Sequence, residues 1–466
     1  MTLRRNPQAV GTEAYRSSMW SKLGKTAGTK MIVLGLSGLC AIVTSRMILS
    51  HFGTEAYAQY GLLASLPSLL PFADLGIAAV VINSIAEAKN PRSDEHVRRS
   101  LLTALRILLV SGTVIMATSA LVSVLGLWPV LLGNGLLPDG GAWAAFLCMA
   151  VFGITLPLAV GQRILVGLER TATQVKSQIV VAPLILLAVL LSIGLAAPVG
   201  SYLAVFSYAA AAVNSIICLI IASRLISPQL TSALRSVPHI KREPGIKAFH
   251  LAWPMLLQMV ALPIAMQSDR LLLSHLTHGE ELAQYNLASQ LFGMILQVIA
   301  AAGIVLWPIY AKARSASRIE SPLVPTIWFA AGGLFLGGLL AIATPFLVAF
   351  VSDGRIILDA WLVSGFAVFV ALQAAKYPTG MYMTDSAGLR FQVLPILMLV
   401  PLNIAISWWL ISLLGAAGPI IGSAISVAAC QLIPNLCYVT RDLARRRQGQ
   451  GAGANLSPHE SNTAKL

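Results

Sequence analysis

The sequence predicts an all-α polytopic membrane protein with about twelve transmembrane helices in two six-helix lobes. Composition, the length of the apolar blocks and the placement of the basic residues all point there. Of the 466 residues, 57% are hydrophobic and 11% charged, whereas a soluble domain carries roughly 25% charged residues. The apolar residues arrive in long blocks such as Met31–Leu49, Leu101–Leu125 and Trp328–Val351. Blocks of about 20 residues cross roughly 30 Å of hydrocarbon as helices. Barrel strands would alternate apolar and polar residues, and these blocks do not.

Taken in order, the expected spans are 30–50, 57–86, 101–125, 141–166, 175–196, 200–224, 248–275, 283–311, 324–351, 356–382, 390–414 and 417–440. The basic residues test this count. Clusters at Arg4–Lys30, Lys89–Arg99, Arg170 with Lys176, Arg235–Lys247, Lys312–Arg318, Arg390 and Arg441–Arg447 all fall in the tails or in even-numbered connections. The odd-numbered connections hold Arg355 and hardly any other Lys or Arg. This alternation is the positive-inside pattern of a multi-pass protein with both termini cytoplasmic. The organisation that follows is a basic tail (1–29), an N-terminal lobe (30–224), a cytoplasmic linker (225–247), a C-terminal lobe (248–440) and a second basic tail (441–466). The first apolar block is long enough to span and reads as an uncleaved helix.

An internal repeat supports two lobes. Arg46-Met-Ile-Leu-Ser-His51 ends the first helix, and Arg270-Leu-Leu-Leu-Ser-His275 ends the seventh. Ala58-Gln-Tyr60 and Ala283-Gln-Tyr285 follow, and Gly167-Leu-Glu-Arg170 answers Gly388-Leu-Arg390, all at an offset of about 220 residues. Six helices per repeat keep both halves in one orientation, related by a pseudo-two-fold axis along the membrane normal.

The net charge of +14 does not point to nucleic acid, because the basic residues sit between apolar blocks. The five cysteines and seven histidines lack ligand spacing, so neither metal nor cofactor is expected. No nucleotide-binding loop, nucleophile elbow or exposed pair of carboxylates is present, which argues against an enzyme. Gly333/Gly337 and Gly418/Gly422 have the spacing of close helix packing.

The candidate functional residues are the charges inside apolar blocks: Arg46, Asp74, Asp269, Arg270 and Lys376. Such groups cost about 2.5–3.5 kcal/mol on insertion scales and face a wet cavity or a partner unless they snorkel. Arg46 lies some 16 residues into the first helix and either lines a cavity or reaches the interface. Gln258 and Asp269 are eleven residues apart and share a face of helix 7. Lys376, with Gln373 and Tyr377 on its face, either snorkels or forms a polar cavity wall. Asp74 sits where Pro67, Pro71 and Gly76 make helix 2 irregular. It suits pairing with a neighbouring base, carrying a proton, or capping a break.

Ser45-Arg46, Phe52-Gly53, Tyr60-Gly61 and Phe72-Ala-Asp-Leu-Gly-Ile77 together resemble the opening of the Wzx-type polysaccharide flippases. Those proteins belong to the multidrug/oligosaccharidyl-lipid/polysaccharide (MOP) exporter superfamily. Phe249-His-Leu-Ala-Trp-Pro254 and Gly415-Ala-Ala-Gly-Pro-Ile-Ile-Gly-Ser-Ala-Ile-Ser426 extend the resemblance to the second half. It implies two lobes around a cavity that alternates between the membrane faces. The implied substrate is an undecaprenyl-diphosphate-linked oligosaccharide for lipopolysaccharide O-antigen, exopolysaccharide or capsule, carried across the bacterial inner membrane. The substrate, the bilayer and other glycan assembly proteins are the implied partners. By the same resemblance Arg46 and Arg270 are the first candidates for the diphosphate, with Lys376 beside them. Asp74 and Asp269 are the coupling or pairing candidates. The competing readings are a cation-coupled multidrug exporter of the same superfamily and a membrane-embedded glycan polymerase or ligase.

Overall fold

Lipid offers the peptide group no hydrogen-bond partner, so each spanning segment must satisfy its own backbone. The computed structural model describes residues 29, 32–70, 73–88, 90–239, 268–304, 306–315 and 319–454, and among them all regular structure is helical. By packing they form two units. The first holds the described residues up to 239 together with Phe350–Arg355, and the second the described residues from 268 onward without that segment.

In the first unit α1 (Ile32–Phe52) is a continuous span. The expected span 57–86 is broken instead, into α2 (Thr54–Leu69) and α3 (Ile77–Glu87). Pro67, in the last turn of α2, cannot donate to the helix ladder. Leu75 and Gly76 then turn the chain through left-handed conformations, with φ of 47° and 71°. Glycine adopts that region freely, while for Leu75 it costs about 1–2 kcal/mol. The break is therefore a held feature and not a frayed end.

After the break, α4 (Glu95–Val124) begins at Asp94, whose carboxylate accepts the His96 N–H at 2.8 Å. The outer connection contains the short α5 (Trp128–Leu132). The fourth span bends near Pro157 between α6 (Gly141–Leu158) and α7 (Val160–Gly167). The remaining spans of this unit are α8 (Thr171–Ser177) with α9 (Val181–Gly194), and α10 (Leu203–Leu225). The 225–247 connection is partly folded, because α11 (Gln229–Ser236) packs on α4. Arg106 fastens it by donating to the carbonyls of Ser236 and Val237 at 2.9 and 3.1 Å. Val97, Leu101, Leu105, Leu156 and Ile164 form the core of this unit.

The second unit contains α12 (268–276), α13 (Gly279–Ile304), α14 (Leu306–Ser315), α15 (Leu323–Ser352, through Ala349) and α16 (Ala360–Tyr382). Then come α17 (Ser386–Leu414), α18 (Gly418–Val427) and α19 (Ile433–Ala454), with a π-helical stretch Ala428–Leu432 between the last two. A Cβ on Gly418 would lie 2.5 Å from the Ile411 nitrogen, and one on Gly422 2.5 Å from the Ser407 hydroxyl. The small-residue spacing thus lets α18 press against α17.

Eight helical stretches among the described residues are long and apolar enough to cross a membrane. The expected count of twelve differs from this in four places, one of them α13 in the expected span 283–311, which is not among the eight. Span 57–86 is broken, and Arg390–Arg446 is a single 57-residue stretch that carries the last two spans. Most of 248–275 lies outside the described residues. Outward faces are apolar, with Trp328, Ile342 and Phe346 all more than 70% exposed. Such a surface fits hydrocarbon and would be an aggregation liability in water.

Candidate functional site

A cavity adjoins the break in helix 2. It occupies about 690 Å³ within the first unit, between the start of α1, the end of α2, the α6–α7 bend, α9 and α10. Apolar side chains such as Val33, Leu70 and Phe152 make most of its wall. One ion pair interrupts them: the Asp74 carboxylate stands 3.5 Å from the Arg163 guanidinium. The second oxygen-bearing function of Asp74 is local, since Oδ1 accepts the Gly76 N–H at 3.0 Å and so holds the turn into α3. Arg163 lies in the first turn of α7, just past the Pro157 bend. Beside it Gln162 donates to the Ser215 hydroxyl of α10 at 3.0 Å.

A smaller cavity of about 320 Å³ lies in the second unit, between α16, α17 and the π-helical stretch. Lys376 lines it and donates to Gln431 Oε1 at 2.8 Å. The π-helical turn presents Gln431 at that position. Among the described residues no carboxylate is paired with Lys376.

Asp269 and Arg270 are neighbours on α12 with different surroundings. Asp269 is 2% exposed and accepts hydrogen bonds from Tyr285 on α13 and Ser423 on α18, both at 2.9 Å. Asn403 on α17 adds a longer one at 3.3 Å. Arg270 donates to Asn286 at 2.8 Å and Ser289 at 2.9 Å, with its guanidinium 6.0 Å from the centre of the Tyr285 ring. The partner proposed for Asp269 on its own helix face, Gln258, lies outside the described residues.

Arg46 sits within the first unit, against Phe350–Arg355. It donates to the Phe350 carbonyl at 2.7 Å and to Asp353 at 2.8 Å, and stacks on the Phe350 ring at 4.4 Å. The repeat that linked Arg46 to Arg270 gives the two arginines unlike partners. It is closer for the histidines: His51 and His275 each place Nδ1 within reach of the carbonyl four residues earlier, Met47 and Leu271.

Sequence reasoning passed over Arg163, although it lies inside the expected span 141–166 and meets the same criterion as the other candidates. Gln431, Asn403 and Ser423 carried no local signal, because only packing brings them to Lys376 and Asp269. Among the described residues no group of three His, Cys, Asp or Glu side chains is placed to hold a metal.

A family profile described as polysaccharide biosynthesis protein matches residues 23–314. No curated protein sequence matches the chain. Among solved structures, a multidrug resistance MATE family transporter of the MOP superfamily, inward-facing, is 14% identical. The match covers 91% of this chain and 99% of that one, with a TM-score of 0.68. The lipid II flippase MurJ, in an inward closed conformation, is 12% identical over 90% of this chain and 89% of its own, with a TM-score of 0.65. A MOP superfamily transporter from Pyrococcus furiosus, described by the reverse polarity of its binding pocket, is 14% identical over 91% and 96%, with a TM-score of 0.62. At these identities the shared property is the fold.

Proposed function

Because the chain belongs to the polysaccharide biosynthesis protein family, Wzx-like within the MOP superfamily, we propose that it flips a polyprenyl-diphosphate-linked oligosaccharide across the bacterial inner membrane. The transport runs from the cytoplasmic to the periplasmic leaflet by alternating access, and serves surface polysaccharide synthesis. Twelve spans in two halves related by a pseudo-two-fold, with both termini cytoplasmic, complete the reading. The activity is transport and not catalysis.

The observation that carries it is Lys376. An ammonium group inside an apolar helical unit, lining a cavity and answered among the described residues only by the neutral Gln431, is the arrangement that an anionic substrate group would complete. A cation-coupled drug exporter shares the fold, but a cavity built for cationic drugs gains nothing from an unpaired base. Arg46 and Arg270 are second-rank candidates for the diphosphate. Each would first have to give up the hydrogen bonds it makes to Asp353 or to Asn286 and Ser289. Asp74 and Asp269 are the candidates for coupling transport to an ion gradient.

The test is gene deletion followed by measurement of lipid-linked glycan in each leaflet. Accumulation on the cytoplasmic side, relieved by the wild-type gene and not by Lys376→Gln, is expected. Normal surface glycan in a deletion strain without a redundant transporter would sink the reading. Drug resistance conferred on a transporter-deficient strain would instead favour the exporter.

A further inference from the structure

The larger cavity, in the first unit, is amphipathic. Its walls are apolar, its volume of about 690 Å³ is in the range of small-molecule sites, and its one ion pair is loosely made. Charge-assisted N–H···O bonds are about 2.7–2.9 Å long, and arginine–carboxylate pairs are commonly bidentate. The Arg163–Asp74 contact is a single one at 3.5 Å. Among the described residues Asp74 is the only hydrogen-bonding or ionic partner of Arg163. Most of the five guanidinium donors are therefore uncommitted to the protein, on a side chain 43% exposed at the wall of a mostly apolar cavity.

Asp74 is situated differently. Its Oδ1 accepts the Gly76 N–H at the start of α3, where a helix N-terminus also favours negative charge. It remains satisfied if Arg163 turns away. The ion pair is thus asymmetric: Asp74 keeps its place without Arg163, while Arg163 has no other partner among the described residues. A phosphate offers more charge and more acceptor oxygens than a carboxylate, in the geometry that guanidinium matches.

We propose that the first-unit cavity binds the phosphate end of a polyprenyl phosphate lipid at Arg163, with the Asp74 carboxylate as a built-in competitor that the phosphate displaces. The apolar walls take the first isoprene units and Arg163 takes the anion. This rests on the flippase reading for the identity of the lipid, but the site itself is tested without transport.

The experiment is equilibrium binding of farnesyl diphosphate to the purified full-length protein, with farnesol and inorganic diphosphate as comparison ligands. Wild type binds farnesyl diphosphate, and farnesol fails to compete. In a Lys376→Gln background, which silences the second-unit cavity, Arg163→Gln weakens binding by about tenfold or more, the size of a lost charge-assisted contact. Arg163→Lys keeps the charge without the fork and falls between, which separates loss of the contact from loss of the fold. Asp74→Asn removes the competitor and tightens binding several-fold.

Unchanged binding in Arg163→Gln overturns the site, and weakened binding in Asp74→Asn overturns the competition. Inorganic diphosphate that displaces the probe at equal concentration overturns the lipid assignment. If Arg163-dependent binding is found while the wild-type gene fails to relieve glycan accumulation in the deletion strain, the flippase reading fails and the site stands. If the gene relieves accumulation and Arg163→Gln binds normally, the site fails and the flippase reading stands.

Discussion

Arg46 and Asp353, 307 positions apart in the chain, form a 2.8 Å ion pair, and the same guanidinium stacks on Phe350 and bonds its carbonyl. Arg355 adds a return contact, donating to the Leu49 carbonyl at 2.7 Å. Two arginines thus fasten the short segment Phe350–Arg355 to the end of α1.

The pair gives Arg46 a structural role that can be separated from substrate contact. Both side chains are partly exposed, at 29% and 43%, so the pair adds at most about 1 kcal/mol to stability. Arg46→Gln and Asp353→Asn are expected to reduce glycan export to similar extents, and the exchange of the two residues to restore most of it. Complementation of the deletion strain reads this out. A loss in Arg46→Gln with normal export in Asp353→Asn would instead make Arg46 a substrate contact.

For Lys376 the requirement is charge at one place in the second-unit cavity. Lys376→Arg is expected to keep measurable export and Lys376→Gln to abolish it, with equal amounts of protein in the membrane. Gln431→Ala removes the neutral acceptor only, and is expected to cost export less than tenfold, because the ammonium remains in place. The check is the leaflet distribution of lipid-linked glycan in each strain.

Much of this was legible in the sequence because lipid leaves few choices. Block length marks the apolar stretches that fold as long helices, and Pro67 with Gly76 mark the irregular stretch around Asp74. The partners were less legible. Asp353 and Arg46 meet across more than 300 residues, and no local spacing records that contact. Arg163 was legible by the rule that singled out Asp74, a charge in an apolar block, yet its significance comes from the bend at Pro157 that carries it to Asp74. The π-helical turn that presents Gln431 lies in a stretch whose apolar pattern reads as ordinary helix.

Asp269 joins α12 to α13, α17 and α18 through its hydrogen bonds to Tyr285, Asn403 and Ser423. Tyr285→Phe and Ser423→Ala each remove one donor to a buried acid, at an expected cost of about 1–3 kcal/mol. The two changes share one acceptor, so their effects are expected to be non-additive in a double-mutant cycle. Thermal unfolding of the purified protein in detergent supplies the measurement. Additive losses would mean that the carboxylate does not link the two helices.

The packing of α4 on α6 rests on two glycines that face each other. A Cβ on Gly112 would stand 2.3 Å from the Gly153 carbonyl oxygen, and one on Gly153 would stand 2.7 Å from the Gly112 carbonyl oxygen. Neither obstacle is the end of a flexible side chain, so a substitution must push two helix backbones apart. Gly153→Val is expected to destabilise the protein by about 1–3 kcal/mol, as overpacking of a tight interface does. Gly126→Ala serves as a comparison of another kind: no atom lies within 4 Å of its Cβ position, but its φ of 65° strains any side chain. Gly153→Val should therefore disturb α4–α6 packing, whereas Gly126→Ala should strain only the turn after α4. Cysteine pairs placed across α4 and α6, scored by cross-linking yield, distinguish the two. A normal yield in Gly153→Val would show that the close approach of these helices does not depend on the missing side chain.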